Sequence, residues 1–168
     1  DDGDPPQVSI TCTENRCSAI DLGTQLTEGD SDPCTQDLRL TTNSDTTCNV
    51  KCYNGYEGAG GTFTCSSDAN DGDAPTESTS CSEITCDVYV LPSNVVGGDT
   101  DPCSSGIELS THTDPSCNVK CKPGYSGTPT TISCPIDSIS GQSPTGSITC
   151  SENLCAAYVF DVSVTQGT

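Results

Sequence analysis

The stretch Cys48-Asn49-Val50-Lys51-Cys52, followed at once by Gly55-Tyr56, occurs a second time as Cys117-Asn118-Val119-Lys120-Cys121, followed by Gly124-Tyr125. The copies lie 69 positions apart, and that offset carries each cysteine of one copy onto a cysteine of the other. Cys17, Cys34, Cys65 and Cys81 fall on Cys86, Cys103, Cys134 and Cys150, while Cys12 aligns with Cys81 and Cys155 with Cys86. Self-similarity at a fixed period marks an architecture in which one supersecondary unit is copied along the chain. Two complete repeats are expected, 17 to 81 and 86 to 150. They are flanked by residues 1 to 12, the C-terminal fragment of a preceding repeat, and 155 to 168, the N-terminal fragment of a following one. Only Ser82-Glu83-Ile84-Thr85 stands between the repeats. So short a connection predicts a semi-rigid linear array rather than modules on a flexible string.

Apolar residues in each repeat alternate with polar ones, the period of strands with one buried face. Ile20, Leu22 and Leu26 share parity, as do their counterparts Tyr89, Leu91 and Val95, and then Tyr158, Phe160 and Val164. In the central motif Cys48, Val50 and Cys52 point one way, Asn49 and Lys51 the other. Phe63 with Cys65, Ile132 with Cys134, Val8 and Ile10 with Cys12, and Ile148 with Cys150 continue the pattern. Gly58-Ala59-Gly60-Gly61, Pro123-Gly124 and Gly141-Gln142-Ser143-Pro144 read as turns and loops. No segment keeps a helical period. The predicted fold class is all-β: small disulfide-rich β modules in a tandem linear array.

Composition bounds what such modules do. The 168 residues include 14 cysteines and no Trp or Met, and aromatics make up only 4%. Domains of about 70 residues bury too little apolar surface to offset chain entropy comfortably and need covalent or metal staples. Cysteines at this density read as disulfides, which persist in oxidising surroundings, so an extracellular, secreted or cell-surface location is expected. The formal net charge of -19 excludes ordinary nucleic-acid binding, which depends on cationic neutralisation of phosphates. It also disfavours anionic membrane surfaces, and no apolar run is long enough to span a bilayer in this window. The first residue is Asp and no signal peptide is visible, as expected of a processed or partial chain.

Candidate chemistry is sparse. Cys48-x-x-x-Cys52 has a spacing that zinc sites tolerate, but the single histidine, His112, is matched by Asn43 in the first repeat. His112 stands between Thr111 and Thr113 with nothing in the sequence to make it a positioned base, so the chain is not expected to be an enzyme. Gly29-Asp30-Ser31-Asp32-Pro33-Cys34 recurs as Gly98-Asp99-Thr100-Asp101-Pro102-Cys103, and Asp45 as Asp114. Asp30, Asp32, Asp99 and Asp101 offer the hard oxygens that calcium takes, and a tight acidic turn leading into a cysteine uses the same residues. Calcium is therefore the one cofactor considered. Gly127-Thr128-Pro129-Thr130-Thr131 presents Thr128, Thr130 and Thr131 as O-glycan acceptors, with plain solvent-facing hydroxyls as the alternative. No Asn-x-Ser/Thr sequon occurs.

The run Cys52-Tyr53-Asn54-Gly55-Tyr56-Glu57-Gly58 and its copy Cys121-Lys122-Pro123-Gly124-Tyr125-Ser126-Gly127, each with a cysteine about a dozen residues on and another before a short linker, resemble the sushi family. These modules are also called complement control protein or short consensus repeats. The resemblance implies Cys17 paired with Cys65 and Cys52 with Cys81, then Cys86 with Cys134 and Cys121 with Cys150. It leaves Cys34 with Cys48 and Cys103 with Cys117 as an additional pair per repeat, although spacing alone admits fifteen connectivities for six cysteines. Cys12 and Cys155 are left to partners in adjoining repeats that this window lacks, or else as free thiols or bridges between chains. The family's usual tryptophan is absent, with Ala74-Pro75-Thr76 and Ser143-Pro144-Thr145 in its place. The expected role is a non-enzymatic structural one: a repeat unit of an extracellular fibre, surface appendage or matrix, self-associating into filaments or lateral assemblies. The alternative is an adhesion or ligand-recognition ectodomain binding a protein or glycan through variable loops, of which 66 to 80 and 135 to 149 differ most between repeats.

Overall fold

A computed structural model describes residues 9 to 156 of the chain. The chain divides into two units between Ile84 and Thr85. In the first, strands β1 (Leu26–Glu28), β2 (Thr47–Cys52), β3 (Tyr56–Thr64) and β4 (Thr76–Glu83) form one antiparallel sheet in the order β1-β2-β3-β4. In the second, β5 (Val95–Gly97), β6 (Ser116–Cys121) and β8 (Thr130–Ser133) form a three-stranded sheet. There β7 (Tyr125–Ser126) pairs separately with β9 (Ser151–Glu152). No α-helix occurs among the described residues. The fold is all-β and disulfide-rich.

The alternation read from the central motif is the alternation of β2 and β6. Cys48 and Val50, and likewise Cys117 and Val119, are buried, while Lys51 is exposed. Each unit closes around a small cluster: Cys17, Ile20, Cys34, Leu40, Cys48, Val50, Phe63 and Cys65 in the first, and Cys86, Val95, Cys103, Leu109, Cys117, Val119, Ile132 and Cys134 in the second. Half of each cluster is cysteine. In both units sulfur fills core volume that aliphatic side chains fill in larger domains. Leu22 and Leu26 pack against the first cluster, Tyr89 and Leu91 against the second. Ile10 and Cys12, which alternation places on a buried face, are exposed, because no strand among the described residues lies beside them. Val8, Tyr158, Phe160 and Val164 lie outside the described residues.

The units differ along one strand, and glycines explain the difference. β4 lies so close to β3 that a Cβ on Gly58 would meet the Ser80 carbonyl oxygen at 1.7 Å, and one on Gly61 the Ser78 carbonyl oxygen at 1.8 Å. Any side chain at these positions would push β4 away. In the second unit Thr130 stands where the first has Gly61, and Pro129, which has no N–H to give, stands where it has Gly60. There the counterpart of β4 keeps a single bridge, Thr145 with Ser133, and regains strand pairing only at β9. Ile148, at the position of Thr79, turns onto the core instead.

Candidate functional site

Six disulfides organise the described residues. Cys17 is joined to Cys65, Cys34 to Cys48 and Cys52 to Cys81. Cys86 is joined to Cys134, Cys103 to Cys117 and Cys121 to Cys150. The loops they close span 48, 14 and 29 positions in each unit. Cys12 and Cys155 are free and exposed.

The acidic motif forms a clamp against the central strand. After β1 the chain crosses back over β2, and Pro33 bridges Asn49 in parallel. The Asn49 N–H donates to the Asp32 carbonyl at 2.8 Å, and the Asn49 carbonyl accepts from the N–H groups of Gly29 at 3.0 Å and Cys34 at 2.9 Å. The Asn49 side-chain amide donates to the Ser31 carbonyl at 2.9 Å, and the Lys51 ammonium contacts the Asp30 carboxylate at 2.5 Å. One residue later Cys34 is bonded to Cys48. The second unit repeats the arrangement: Asn118 N–H donates to the Asp101 carbonyl, its carbonyl accepts from Gly98 and Cys103, and its amide donates to the Thr100 carbonyl. Lys120 pairs with Asp99. The outward residues of the Cys-Asn-Val-Lys-Cys motif are therefore the ones that grip the Gly-Asp-x-Asp-Pro-Cys loop.

The clamp uses Asp32 and Asp101 through their backbone carbonyls and Asp30 and Asp99 through their carboxylates, the four aspartates considered as calcium ligands. Asp32 and Asp101 each sit at φ 46°, the left-handed region that Asp tolerates better than most residues. Asp30 and Asp99 are each paired with a lysine. No group of three or more His, Cys, Asp and Glu side chains comes together among the described residues. Asp45 and Asp114 close equivalent turns: Asp45 N–H donates to Thr41 Oγ1 at 2.8 Å, and Asp114 N–H to Ser110 Oγ at 3.0 Å.

The other candidates are placed as follows. Thr128 and Thr131 are exposed and Thr130 is half-buried. The Thr131 hydroxyl donates to Asn118 Oδ1 at 2.7 Å, which ties it to the clamp. His112 is exposed on the loop between Ser110 and Asp114. An open groove of about 330 Å³ runs between the 21 to 26 turn and β4, bordered by Asp21 and Glu77. Both carboxylates are held by their own neighbours: Asp21 Oδ1 accepts from the Gly23 N–H at 3.0 Å, and Glu77 Oε1 from the Thr79 hydroxyl at 2.5 Å. Two surface carboxyls are held below the usual carboxylate range by hydrogen bonds, Glu14 from Ser44 and Asp68 from Ser66. Partial burial raises the Tyr89 phenol.

No helix among the described residues is long and apolar enough to cross a membrane. Comparison with family models, with curated proteins and with solved structures gives no match. The class that fold and bridges define is a small, all-β, disulfide-rich module, and bridges in this number require oxidising surroundings.

Proposed function

We propose that the chain is a non-enzymatic structural protein, a stretch of sushi-like repeats from an extracellular or surface-attached fibre, appendage or matrix. One observation carries this reading: the same three bridges, at the same separations, form in two units whose sequences superpose at one fixed offset. Copies of a covalently braced unit joined by a four-residue linker provide a recurring surface, which is what end-to-end or lateral assembly needs. The non-enzymatic reading is supported by the use made of the lysines of the central motif and their aspartate partners, which hold a loop in place. Electron microscopy of native material tests it. Polymers with a repeating axial spacing are the expected result, and monodisperse particles at high concentration, with and without calcium, would overturn it.

A second reading, an adhesion or recognition ectodomain, is favoured by a difference between the units. Val88, Val90, Ile136 and Ile139 are exposed in the second unit, where the first has Ala19, Asp21, Ser67 and Asn70. Exposed aliphatic side chains confined to one copy of a repeat suit a protein partner better than a lattice of identical units. Polar replacement of all four removes ligand capture under this reading and leaves polymers intact under the first.

A further inference from the structure

We infer that the outer edge of β4 is a self-association site, pairing antiparallel with β4 of a second copy to continue the sheet across two molecules. The inference deepens the structural reading above and rests on it for its biological setting.

The geometry starts from the pairing of β3. The Cys65 N–H donates to the Thr46 carbonyl, in register with the β2 to β3 ladder. In an antiparallel ladder the bonded pairs alternate, so Phe63 and Gly61 turn their backbone groups toward β2, while Thr62 and Thr64 turn theirs toward β4. Thr62 lies opposite Ser78 and Thr64 opposite Thr76. The backbone N–H and C=O of Ser78 and Thr76 are thereby committed to β3, and those of Glu77 and Thr79 point away from the sheet. β4 is terminal in the strand order and pairs only with β3.

Such an edge is unusual in what it lacks. Edge strands are ordinarily kept short, or carry charged residues, Lys above all, or Pro or a bulge that turns them aside, and the charges on β4 are Glu77 and Glu83. β4 has eight residues, the sequence Thr-Glu-Ser-Thr-Ser-Cys-Ser-Glu, and neither Lys nor Pro. The register shift at Gly58/Gly60 lies on β3, not on β4. At the other edges of the two sheets β1 and β5 have three residues and β8 four. The equivalent stretch of the second unit has only the single bridge at Thr145 before β9. One unit presents this edge and the other does not.

The occupant follows from the charge pattern. The chain carries a net charge of -19, so a self-made interface must keep its carboxylates apart. With Ser78 placed opposite Ser78 of the second copy, Glu77 of each copy faces Thr79 of the other, and the four outward backbone groups on each strand are satisfied at once. The Thr79 hydroxyl, which already donates to Glu77 within its own strand, is then placed to donate across the interface. The two Glu77 residues become diagonal neighbours, about 7 to 8 Å apart. Their repulsion is screened by salt, since the Debye length is about 10 Å at 0.1 M. Small hydroxyl side chains at Thr76, Ser78 and Ser80 leave room for backbones to approach.

The test uses the complete 168-residue chain in sedimentation and in backbone hydrogen exchange. Association should rise with protein concentration and strengthen as sodium chloride is raised, with the amides of Glu77 and Thr79 becoming at least tenfold more protected. Thr79→Pro removes one outward N–H and leaves the bonds to β3 intact, since proline is tolerated on an edge. It should abolish the dimer while the Ser78 and Ser80 amides stay protected, which shows that β4 is still folded. A chain that remains monomeric in salt up to about 1 mM, a concentration at which a site of millimolar Kd is half filled, overturns the inference. So does a dimer that survives Thr79→Pro. If Thr79→Pro exposes Ser78 and Ser80, Thr79→Glu places a carboxylate opposite Glu77 of the other copy on both strands and is read the same way. The fibre reading fails separately, when native material shows no polymers, because longer assemblies do not depend on this edge alone.

Discussion

Replacing both Cys34 and Cys48 with alanine isolates the smallest bridge of the first unit. The loop it closes spans 14 positions, for which the chain-entropy treatment gives about 3 kcal/mol, against about 4 kcal/mol for the bridge between Cys17 and Cys65. Both sulfurs are buried, Cys34 at 0% and Cys48 at 1% exposure, so the full loss should appear. The Asn49 clamp remains, and its three backbone hydrogen bonds still hold the loop of Gly29 to Cys34 across β2. The variant should therefore fold, with the other two bridges formed, and unfold earlier. At about 4 to 8 °C per kcal/mol for a domain of this size, the first unit should melt about 12 to 24 °C lower while the second is unchanged. Guanidinium unfolding under non-reducing conditions, read by exchange of the Cys17 and Val50 amides, measures the loss directly. A loss below about 1 kcal/mol would show that the unfolded chain is already compact there, and a variant that fails to fold would show that the clamp is inadequate alone; either refutes the reasoning.

Three further outcomes are expected. Gly61→Thr gives the first unit the residue found at position 130 and should detach β4 from β3 at a cost of about 1 to 3 kcal/mol, seen as fast exchange at Ser78 and Ser80. Asn49→Ala removes one side-chain hydrogen bond to the acidic loop and should cost about 0.5 to 1.5 kcal/mol, and Asn118→Ala, which also removes the bond from Thr131, should cost more, both measured by denaturant unfolding. Glu14 and Asp68 have depressed folded-state pKa values, so their contribution is present above the unfolded carboxylate range and is lost as pH falls through the folded values. Carbon-detected NMR titration should find both carboxyls ionised at a pH where most surface carboxyls have begun to protonate, and Ser44→Ala and Ser66→Ala, which each remove the largest of these hydrogen bonds, should each raise one toward the ordinary range.

Much of the fold was legible because a period of two leaves a plain trace. Cys48 and Val50, Phe63 and Cys65, and Ile132 and Cys134 alternate with polar residues in sequence and are buried in the structure. The resemblance, rather than the spacing, supplied a bridge pattern, since six cysteines in a short repeat satisfy many connectivities. The clamp was not read, although its signal was present: the Cys-Asn-Val-Lys-Cys and Gly-Asp-x-Asp-Pro-Cys motifs recur together. Outward polar residues on a strand are easily taken as solvent-facing, and only contact shows that Asn49 and Lys51 face a loop. Leu40 and Leu109, both fully buried, were also missed, because they lie in irregular chain with no period to announce them. The loss of strand structure opposite β8 could not have been foreseen from burial patterns, since it turns on one threonine and one proline where the first unit has glycines.

The bridges between Cys17 and Cys65 and between Cys52 and Cys81 overlap along the chain. A pull applied at Cys17 and Cys81 is thus transmitted through sulfur to Cys65, back along thirteen residues to Cys52, and through sulfur again to Cys81. Fully drawn out, those thirteen residues reach only about 45 Å, so even an unravelled module yields little slack before covalent bonds bear the load. A single backbone nick anywhere from Cys17 to Cys81 is likewise spanned by at least one bridge. Between that module and the next, which begins at Cys86, the four linker residues are the place where one cut would part the strand.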